Sequence, residues 1–177
     1  GATSIAVGTQ SVVSARNSIA IGFGTNVSSA YTVYLGNMAI ASIGGVVNWT
    51  ATSDGRFKSD VQENIPGLDF INKLRPVSYN LNGDQMMDFY GQDIPEGLES
   101  AFATQQDTRY SGFIAQEVES AALSLGYEFS GVDAPENAET EAYGLHYGEF
   151  VVPLVKSTQE LHQEIELIRA TEVEVVS

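Results

Sequence analysis

The sequence predicts a two-part fold, in which the end of a parallel β-solenoid is followed by an α+β domain that closes with a coiled-coil helix. Three observations support this division. A fourteen-residue repeat fills the first 36 residues, all 23 acidic residues lie after residue 52, and apolar residues recur at spacings of three and four near the C-terminus. We therefore expect a shaft end and neck at residues 1–52 and a second domain at residues 53–177.

The repeat keeps the same phase in three copies. The segment SIAVG at residues 4–8 returns as SIAIG at 18–22 and as TVYLG at 32–36, each fourteen positions after the last. Every copy alternates apolar residues with other residues and ends at a glycine, which is typical of a strand followed by a turn. We expect stacked solenoid coils with the apolar side chains inward and the small ones outward. The double glycine before Trp49 then predicts a neck in which this tryptophan closes the stack.

The C-terminal segment predicts an oligomer. Its seam repeats at three-four spacing and consists of Val151, Leu154, Thr158, Leu161, Ile165 and Ile168. This pattern is typical of a coiled-coil helix over about residues 149–170, with Pro153 tolerated in the first turn. Isoleucine at the successive seam positions 165 and 168 favours three strands over two. A single amphipathic helix packed on its own domain is the alternative.

Composition narrows the possible classes of function. The formal net charge of −15 argues against a nucleic-acid partner, and no apolar run approaches the ~20 residues of a membrane span. The chain has no cysteine, and its two histidines, His146 and His162, are sixteen positions apart, so we expect neither a metal site nor a cofactor. Because the sequence opens inside the repeat pattern, we expect it to be the C-terminal part of a longer protein.

Two stretches are acidic and contain no lysine or arginine. Residues 84–107 hold six acids and residues 128–141 hold five. Paired carboxylates are the catalytic groups of glycosidases, and acidic arms also suit the binding of glycans or cations by a surface adhesin. We favour solvated loops or arms, because both stretches also contain glycine and proline.

Ser53 and Lys58 are the candidate catalytic residues. A serine and a lysine can act as nucleophile and general base, provided that burial keeps the lysine amine neutral. Positions five apart lie on opposite faces of a strand and about 140° apart on a helix, so a turn is needed to join them. Asp54-Gly55 is a strong signal for a two-residue hairpin that supplies this turn. For an isolated motif, a surface turn with a solvated lysine is the commoner explanation.

Four sequence blocks carry a family resemblance. They are SDGRFKSDV at residues 53–61, INKLRPVSY at 71–79, GFIAQEV at 112–118 and LHY at 145–147, followed by the terminal helix. Together they resemble the endosialidase-type intramolecular chaperone domain of phage tail spikes and tail fibres, over residues 53–177. Residues 1–36 resemble the head repeats of trimeric autotransporter adhesins.

These resemblances imply a fold and a site. The fold is the end of a trimeric left-handed parallel β-roll, followed by an α+β chaperone domain with a C-terminal trimeric coiled coil. The site is a self-cleaving dyad of Ser53 as nucleophile and Lys58 as general base, with the scissile bond at Thr52–Ser53 and no cofactor. The chain departs from the family pattern at Gly55, where a larger residue is usual, and at Phe57, which replaces leucine.

Three other motif residues are expected to have structural rather than catalytic roles. We expect Arg56 to form a structural ion pair rather than to assist the reaction. Gln116 and Glu117 match the third block of the family, and we expect packing and capping roles for both.

The function that the resemblance implies is that of a C-terminal intramolecular chaperone. It would drive trimerisation and folding of its own upstream fibre chain, and then release itself as a single-turnover serine endopeptidase. The shaft would belong to a virion tail fibre or spike, assembled in the host cytoplasm. A non-cleaving structural trimerisation cap of a fibre or of a bacterial surface adhesin is the alternative.

Overall fold

The computed structural model describes residues 2–94 and 96–176, and it describes side chains as far as residue 171. Contacts divide the chain into two compact units, Gly1–Thr52 with Asn80–Tyr110 and Ser53–Tyr79 with Ser111–Ser177. The chain therefore first passes from one unit to the other at the bond between Thr52 and Ser53. The segment Asn80–Tyr110 groups with the first unit, although it lies inside the predicted second domain.

The described elements are short, apart from the terminal helix. The strands are β1 (Ile5–Val7), β2 (Val12–Val13), β3 (Ile19–Ile21), β4 (Asn26–Val27), β5 (Val33–Leu35), β6 (Val77–Tyr79), β7 (Tyr110–Gly112), β8 (Val132–Asp133) and β9 (Gly144–Leu145). The α-helices are α1 (Leu68–Ile71), α2 (Gly83–Tyr90), α3 (Glu99–Asp107), α4 (Ala115–Leu123) and α5 (Val151–Val176). Two 3-10 helices lie at Gly55–Phe57 and Tyr147–Phe150.

Parallel strands build the N-terminal part of the first unit. β1, β3 and β5 form one sheet in that order, and β2 pairs with β4 in a second sheet. In both sheets each residue pairs with the residue fourteen positions later, as Ile5 does with Ile19. This offset equals the period of the sequence repeat, so successive repeats lie side by side. The left-handed sense and the trimer expected for the β-roll stay predictions.

The turns of this unit repeat together with the strands. Thr3, Asn17 and Tyr31 lie fourteen positions apart and adopt left-handed backbone angles, with φ of 59°, 49° and 63°. Gly22 follows β3 with φ of 130°, and a Cβ at this position would lie 2.9 Å from Gly36 Cα. Glycine is therefore required at this corner for its backbone angles and for the close approach of the next coil.

The side chains of the central strand β3 point in the direction opposite to the prediction. Ala20, at the centre of β3, is fully buried, whereas Ile21 is 43% exposed. In β1 all three residues are exposed, and in β5 Val33 and Tyr34 are exposed. The predicted arrangement, with apolar side chains inward and small ones outward, is therefore wrong for β3.

Buried hydroxyl groups give the physical reason. Ser18 is fully buried, and its Oγ donates a hydrogen bond to the Ser29 carbonyl at 3.0 Å. The same oxygen accepts a hydrogen bond from the Thr32 backbone N–H at 3.3 Å. A buried hydroxyl costs little when it is bonded to backbone groups of the neighbouring coil, so this interior accommodates serine as readily as apolar residues.

The predicted neck is irregular. Val46, Val47 and Trp49 are all exposed, and 88% of the Trp49 surface is open to water. The prediction that Trp49 closes the apolar stack is therefore wrong for the single chain.

The first acidic stretch is largely helical instead of forming a solvated loop. The Asn82 side chain caps α2 by accepting a hydrogen bond from the Gln85 backbone N–H at 3.0 Å, and Gly91 ends the helix with φ of 60°. Met87 on α2 and Phe102 on α3 are buried, which explains why the segment orders despite its charge. The second stretch, residues 128–141, is mostly irregular apart from β8, as expected.

The core of the second unit gathers residues from α1, α4 and the second 3-10 helix. Its buried members are Phe70, Val118, Ala121, Ala122 and Phe150. Aromatic rings complete it, since Tyr127 meets Phe70 edge to face with 5.3 Å between centroids. This cluster defines the centre of the unit, on which α5 begins.

A glycine allows α1 to pack closely on α5. The Glu160 carboxylate on α5 accepts a hydrogen bond from the Leu68 backbone N–H at 2.7 Å. A Cβ on Gly67 would lie 2.6 Å from the backbone nitrogen of Ser157, closer than any real contact. Glu160 therefore satisfies an N–H group that the start of a short helix leaves free, and Gly67 makes room for it.

The predicted coiled-coil seam of α5 is uncovered in the single chain. Pro153 is buried in the first turn, whereas Leu161, Ile165 and Ile168 are 45%, 46% and 60% exposed. A row of unpartnered apolar side chains is what an intermolecular helix needs, and the trimer itself stays a prediction. Among the described residues, no helix has both the length and the apolar content to cross a membrane.

We expect Gly22→Ala to destabilise the coils by roughly 1–3 kcal/mol, because alanine is strained at this φ and collides with Gly36. Hydrogen–deuterium exchange over β3 and β5 should then be faster than in the unaltered chain. Gly44→Ala is the matched control, since nothing lies within 4 Å of the added Cβ. Equal exchange in the two variants would contradict this packing of the coils.

Candidate active site

The two predicted catalytic side chains meet. Lys58 Nζ donates a hydrogen bond to Ser53 Oγ over 2.9 Å, and both residues belong to the second unit. This distance lies within the range that a nucleophile and its base require. The pair immediately follows the predicted scissile bond, Thr52–Ser53.

A 3-10 turn joins the pair, where the sequence predicted a hairpin. Gly55–Phe57 forms one turn, in which the Lys58 backbone N–H donates to the Gly55 carbonyl at 3.2 Å. Asp54 before the turn and Lys58 after it are both extended, with φ/ψ of −74°/127° and −104°/133°. The hairpin prediction is wrong because Asp54 uses its side chain to start a helical turn.

Asp54 is the anchor of this turn. Its Oδ1 accepts a hydrogen bond from the Arg56 backbone N–H at 2.9 Å, which is the geometry of a helix N-cap. The Arg56 guanidinium also donates to both carboxylate oxygens, with 3.0 Å between Nε and Oδ2. The hydrogen bond from the Arg56 side chain, and to a smaller extent that from the Arg56 backbone, lowers the pKa of Asp54 below its usual value. The same side-chain hydrogen bond raises the pKa of Arg56. Arg56 thus forms an ion pair, as expected.

The burial that a lysine base requires is missing in the single chain. Ser53 and Lys58 are both exposed, and so is Phe57 between them. In this setting the lysine amine donates to the serine, whereas a general base must accept the serine proton. The geometry of the dyad is therefore local to one chain, while the desolvation it needs is not supplied by that chain.

Gly55 is not required by the geometry of the turn. Its φ is not among the positive values, and nothing lies within 4 Å of an added Cβ. A larger residue, as is usual in the family, would fit at this position without strain.

The other motif blocks build the unit around its core. The Arg75 guanidinium of the second block forms a bidentate ion pair with Glu117 of the third, with 3.1 Å between Nε and Oε2. The Arg75 hydrogen bond lowers the pKa of Glu117. Glu117 makes no side-chain capping bond on α4, and Gln116 is exposed, so the packing and capping roles expected for them are wrong.

The third and fourth blocks meet at an aromatic contact. The Tyr147 hydroxyl accepts a hydrogen bond from the Phe113 backbone N–H at 3.1 Å, and the two rings stack. A Cβ at Gly112 would collide with that hydroxyl, so this glycine is required for the contact. The second, third and fourth blocks thus support the fold, and the first contains the predicted catalytic pair, Ser53 and Lys58.

Neither histidine is hydrogen-bonded to Ser53 or Lys58 in the described part of the chain. His146 Nδ1 lies 3.3 Å from the Ser130 carbonyl, and His162 lies exposed on α5. Within the described part of the chain, no three histidine or acidic residues form a group that could hold a metal ion.

Sequence reasoning missed the part that Asp54 plays. An aspartate side chain often accepts a hydrogen bond from the backbone N–H two residues later and so caps the start of a helical turn, and Asp54 in the sequence is such a signal. Because glycine follows Asp54, the sequence predicted a hairpin instead. The contact between Gly67 and Glu160, 93 positions apart, had no local signal at all.

The model of a peptidase family, described as “Chaperone of endosialidase”, matches residues 53–127. The match covers the first three motif blocks and ends before the fourth block and α5. The comparisons with curated proteins and with solved structures found no match. The resemblance of residues 1–36 to autotransporter head repeats stays a prediction. Residues 53–127 are therefore similar to the endosialidase chaperone family.

Proposed function

We propose that residues 53–177 form a C-terminal intramolecular chaperone that drives trimerisation and folding of a phage tail fibre or tail spike chain. The chaperone then releases itself by cutting the bond between Thr52 and Ser53. The observation that carries this proposal is the 2.9 Å hydrogen bond between Lys58 Nζ and Ser53 Oγ. It lies next to the bond at which the chain passes from one compact unit to the other.

The proposed reaction begins as an acyl shift within the chain. A neutral Lys58 amine takes the proton from Ser53 Oγ, and this oxygen attacks the Thr52 carbonyl carbon. The C–N bond then breaks, and the Ser53 nitrogen receives the proton from the lysine as it leaves. The product is an ester between Thr52 and the serine oxygen.

Hydrolysis completes the proposed reaction. A water molecule attacks the ester carbon, which leaves a carboxylate on Thr52 and restores the Ser53 hydroxyl. The second fragment then begins with the free amino group of Ser53. Each chain reacts once, since the bond that is cut is its own.

Contacts within the first unit support a chaperone role toward the upstream chain. Asn80–Tyr110, which lies within the family match, groups with residues 1–52. Gln105 Nε2 on α3 donates a hydrogen bond to the Ile40 carbonyl at 3.2 Å. Burial raises the pKa of Tyr90, and the electrostatic interaction with Tyr34 raises it further. The segment after the cleavage site thus packs with the segment before it.

Assembly supplies what the dyad lacks. A lysine in water stays protonated, so the base function requires that another surface cover Lys58. The exposed seam of α5 provides a site at which copies of the chain can associate. We therefore place cleavage after trimerisation.

A non-cleaving structural cap is the second candidate. The observation that favours it is the exposure of both Ser53 and Lys58 in the single chain. In that case the trimer forms but the chain stays intact, and the same experiments decide between the two.

We expect Ser53→Ala and Lys58→Ala each to abolish cleavage, because one removes the nucleophile and the other the base. Trimer assembly should survive in both, since association depends on α5. Ser59→Ala and Lys73→Ala are the matched controls on exposed neighbours of the same types. Mass spectrometry should find a chain that begins at Ser53 in the controls only. Normal processing of either dyad variant would refute the assignment.

We expect a chain truncated after Thr52 to be insoluble or monomeric. Parallel coils form few local contacts and fold slowly, so they depend on the trimerised chaperone as a template. The uncut Ser53→Ala chain is the control, and size-exclusion chromatography with light scattering gives the readout. Recovery of soluble trimers from the truncated chain would count against a chaperone role.

We expect the double change Leu161→Asp and Ile165→Asp to abolish both association and cleavage, because it places unpaired charges on the seam of α5. Gln159→Asp with Gln163→Asp adds the same charge to exposed positions of the helix outside the seam, and should leave both intact. Sedimentation and a processing gel report the two effects. Monomers that still release a chain beginning at Ser53 would show that the dyad is complete within one subunit.

A further inference from the structure

We propose that Asp54 is a positioning residue for the dyad, because its side-chain cap holds the turn that brings Lys58 Nζ onto Ser53 Oγ. This inference rests on the proposed self-cleavage. Asp54 does not itself contact the reacting atoms in the described hydrogen bonds. It acts through the backbone of Gly55–Phe57.

The turn between Ser53 and Lys58 is weak by itself. A 3-10 helix of three residues contains few backbone bonds, here from Phe57 N to the Asp54 carbonyl at 3.0 Å and from Lys58 N to the Gly55 carbonyl at 3.2 Å. Such short turns are poorly stable alone, and none of the three residues is buried. Packing therefore does not hold this turn, and a side-chain bond has to contribute.

The Asp54 side chain provides that bond. Its Oδ1 accepts from the Arg56 backbone N–H at 2.9 Å, which fixes the first residues of the turn. Lys58 leaves the turn in an extended conformation, and its amine reaches back five positions to Ser53. Loss of the cap would let both ends of the turn move, so the population with nucleophile and base in contact would fall.

Arg56 has a secondary part in this arrangement. Its guanidinium holds the carboxylate in place from the solvent side, with 3.0 Å between Nε and Oδ2. Its side chain is largely exposed, and exposed ion pairs contribute little. The cap, rather than the charge pair, is therefore the interaction that positions the dyad.

Three variants separate the cap from the charge. Asp54→Ala removes both, Asp54→Asn keeps an oxygen for the cap but loses the ion pair, and Arg56→Ala keeps the backbone N–H but loses the ion pair. The full chain is translated in a cell-free system, and the appearance of the fragment beginning at Ser53 is followed on gels. We expect cleavage to be about tenfold slower in Asp54→Ala and within about threefold of the unaltered rate in the other two.

Gly55→Ala tests the same idea from the opposite direction. It stiffens the turn without touching Asp54, and the added Cβ meets nothing within 4 Å. We expect cleavage to become about two- to fivefold faster, because fewer conformations compete with the turn. An unchanged or slower rate would contradict the view that the order of the turn limits the reaction.

Two further readouts separate positioning from other roles. The pH at which cleavage reaches half its maximal rate should be the same in Asp54→Ala and in the unaltered chain, because positioning changes how often the pair meets and not the lysine charge. Trimer formation, measured by sedimentation, should also be unchanged. A shifted pH profile or a lost trimer would overturn the positioning role.

The outcomes also distinguish this inference from the proposed function. Asp54→Ala cleaving at the unaltered rate, or Asp54→Asn slowed as much as Asp54→Ala, overturns the cap while the dyad stands. An unaltered chain that never yields a Ser53 amino terminus, or a Ser53→Ala chain that still does, overturns the self-cleavage itself.

Discussion

Apolar side chains that one copy leaves in water are the constraint on which this structure depends. The strands of the first unit turn Ile5, Val7 and Val33 outward, and α5 in the second unit presents Leu161 and Ile165 along an open seam. Exposed apolar rows of this regularity are typical of surfaces that meet another chain. In the homotrimer that we propose, both rows would meet identical partners, and each chain would be one third of the assembly.

The proposed chemistry requires a short distance between serine and lysine and a low-dielectric environment, and in the exposed single chain only the first requirement is met. Distance is solved locally, because the Asp54 cap and one helical turn bring Lys58 to Ser53 within a stretch of six residues. The low-dielectric environment that a neutral lysine requires is not supplied locally, because no side chain of this turn is buried. Covering the turn raises the free energy of a charged lysine relative to a neutral one, which is the change that a general base needs. Geometry and activation are thus controlled by different parts of the molecule.

Features that depend on neighbouring residues were predictable from the sequence, whereas contacts between residues far apart in the chain were not. The fourteen-residue repeat gave the register of the parallel strands, and the S-x4-K spacing in its motif gave the pair that the structure joins. The direction of the β3 side chains was predicted wrongly, because the pattern of apolar residues does not show that Ser18 is satisfied by backbone groups of the next coil. The helices α2 and α3 were not predicted, because the acidic residues of this stretch indicated a solvated loop although Met87 and Phe102 are buried.

The exposure of the dyad also bears on the order of events. A turn held by contacts two to five residues apart forms within the time of local folding, long before three chains meet. If geometry alone sufficed for cleavage, the chaperone would be cut from its client before it had acted. A pair that is in place but hydrated would avoid this under our proposal, in which assembly of the fibre is also the step that removes the water. The placement of Ser53 and Lys58 on an exposed turn, away from the core around Phe70, is therefore consistent with a reaction that has to wait.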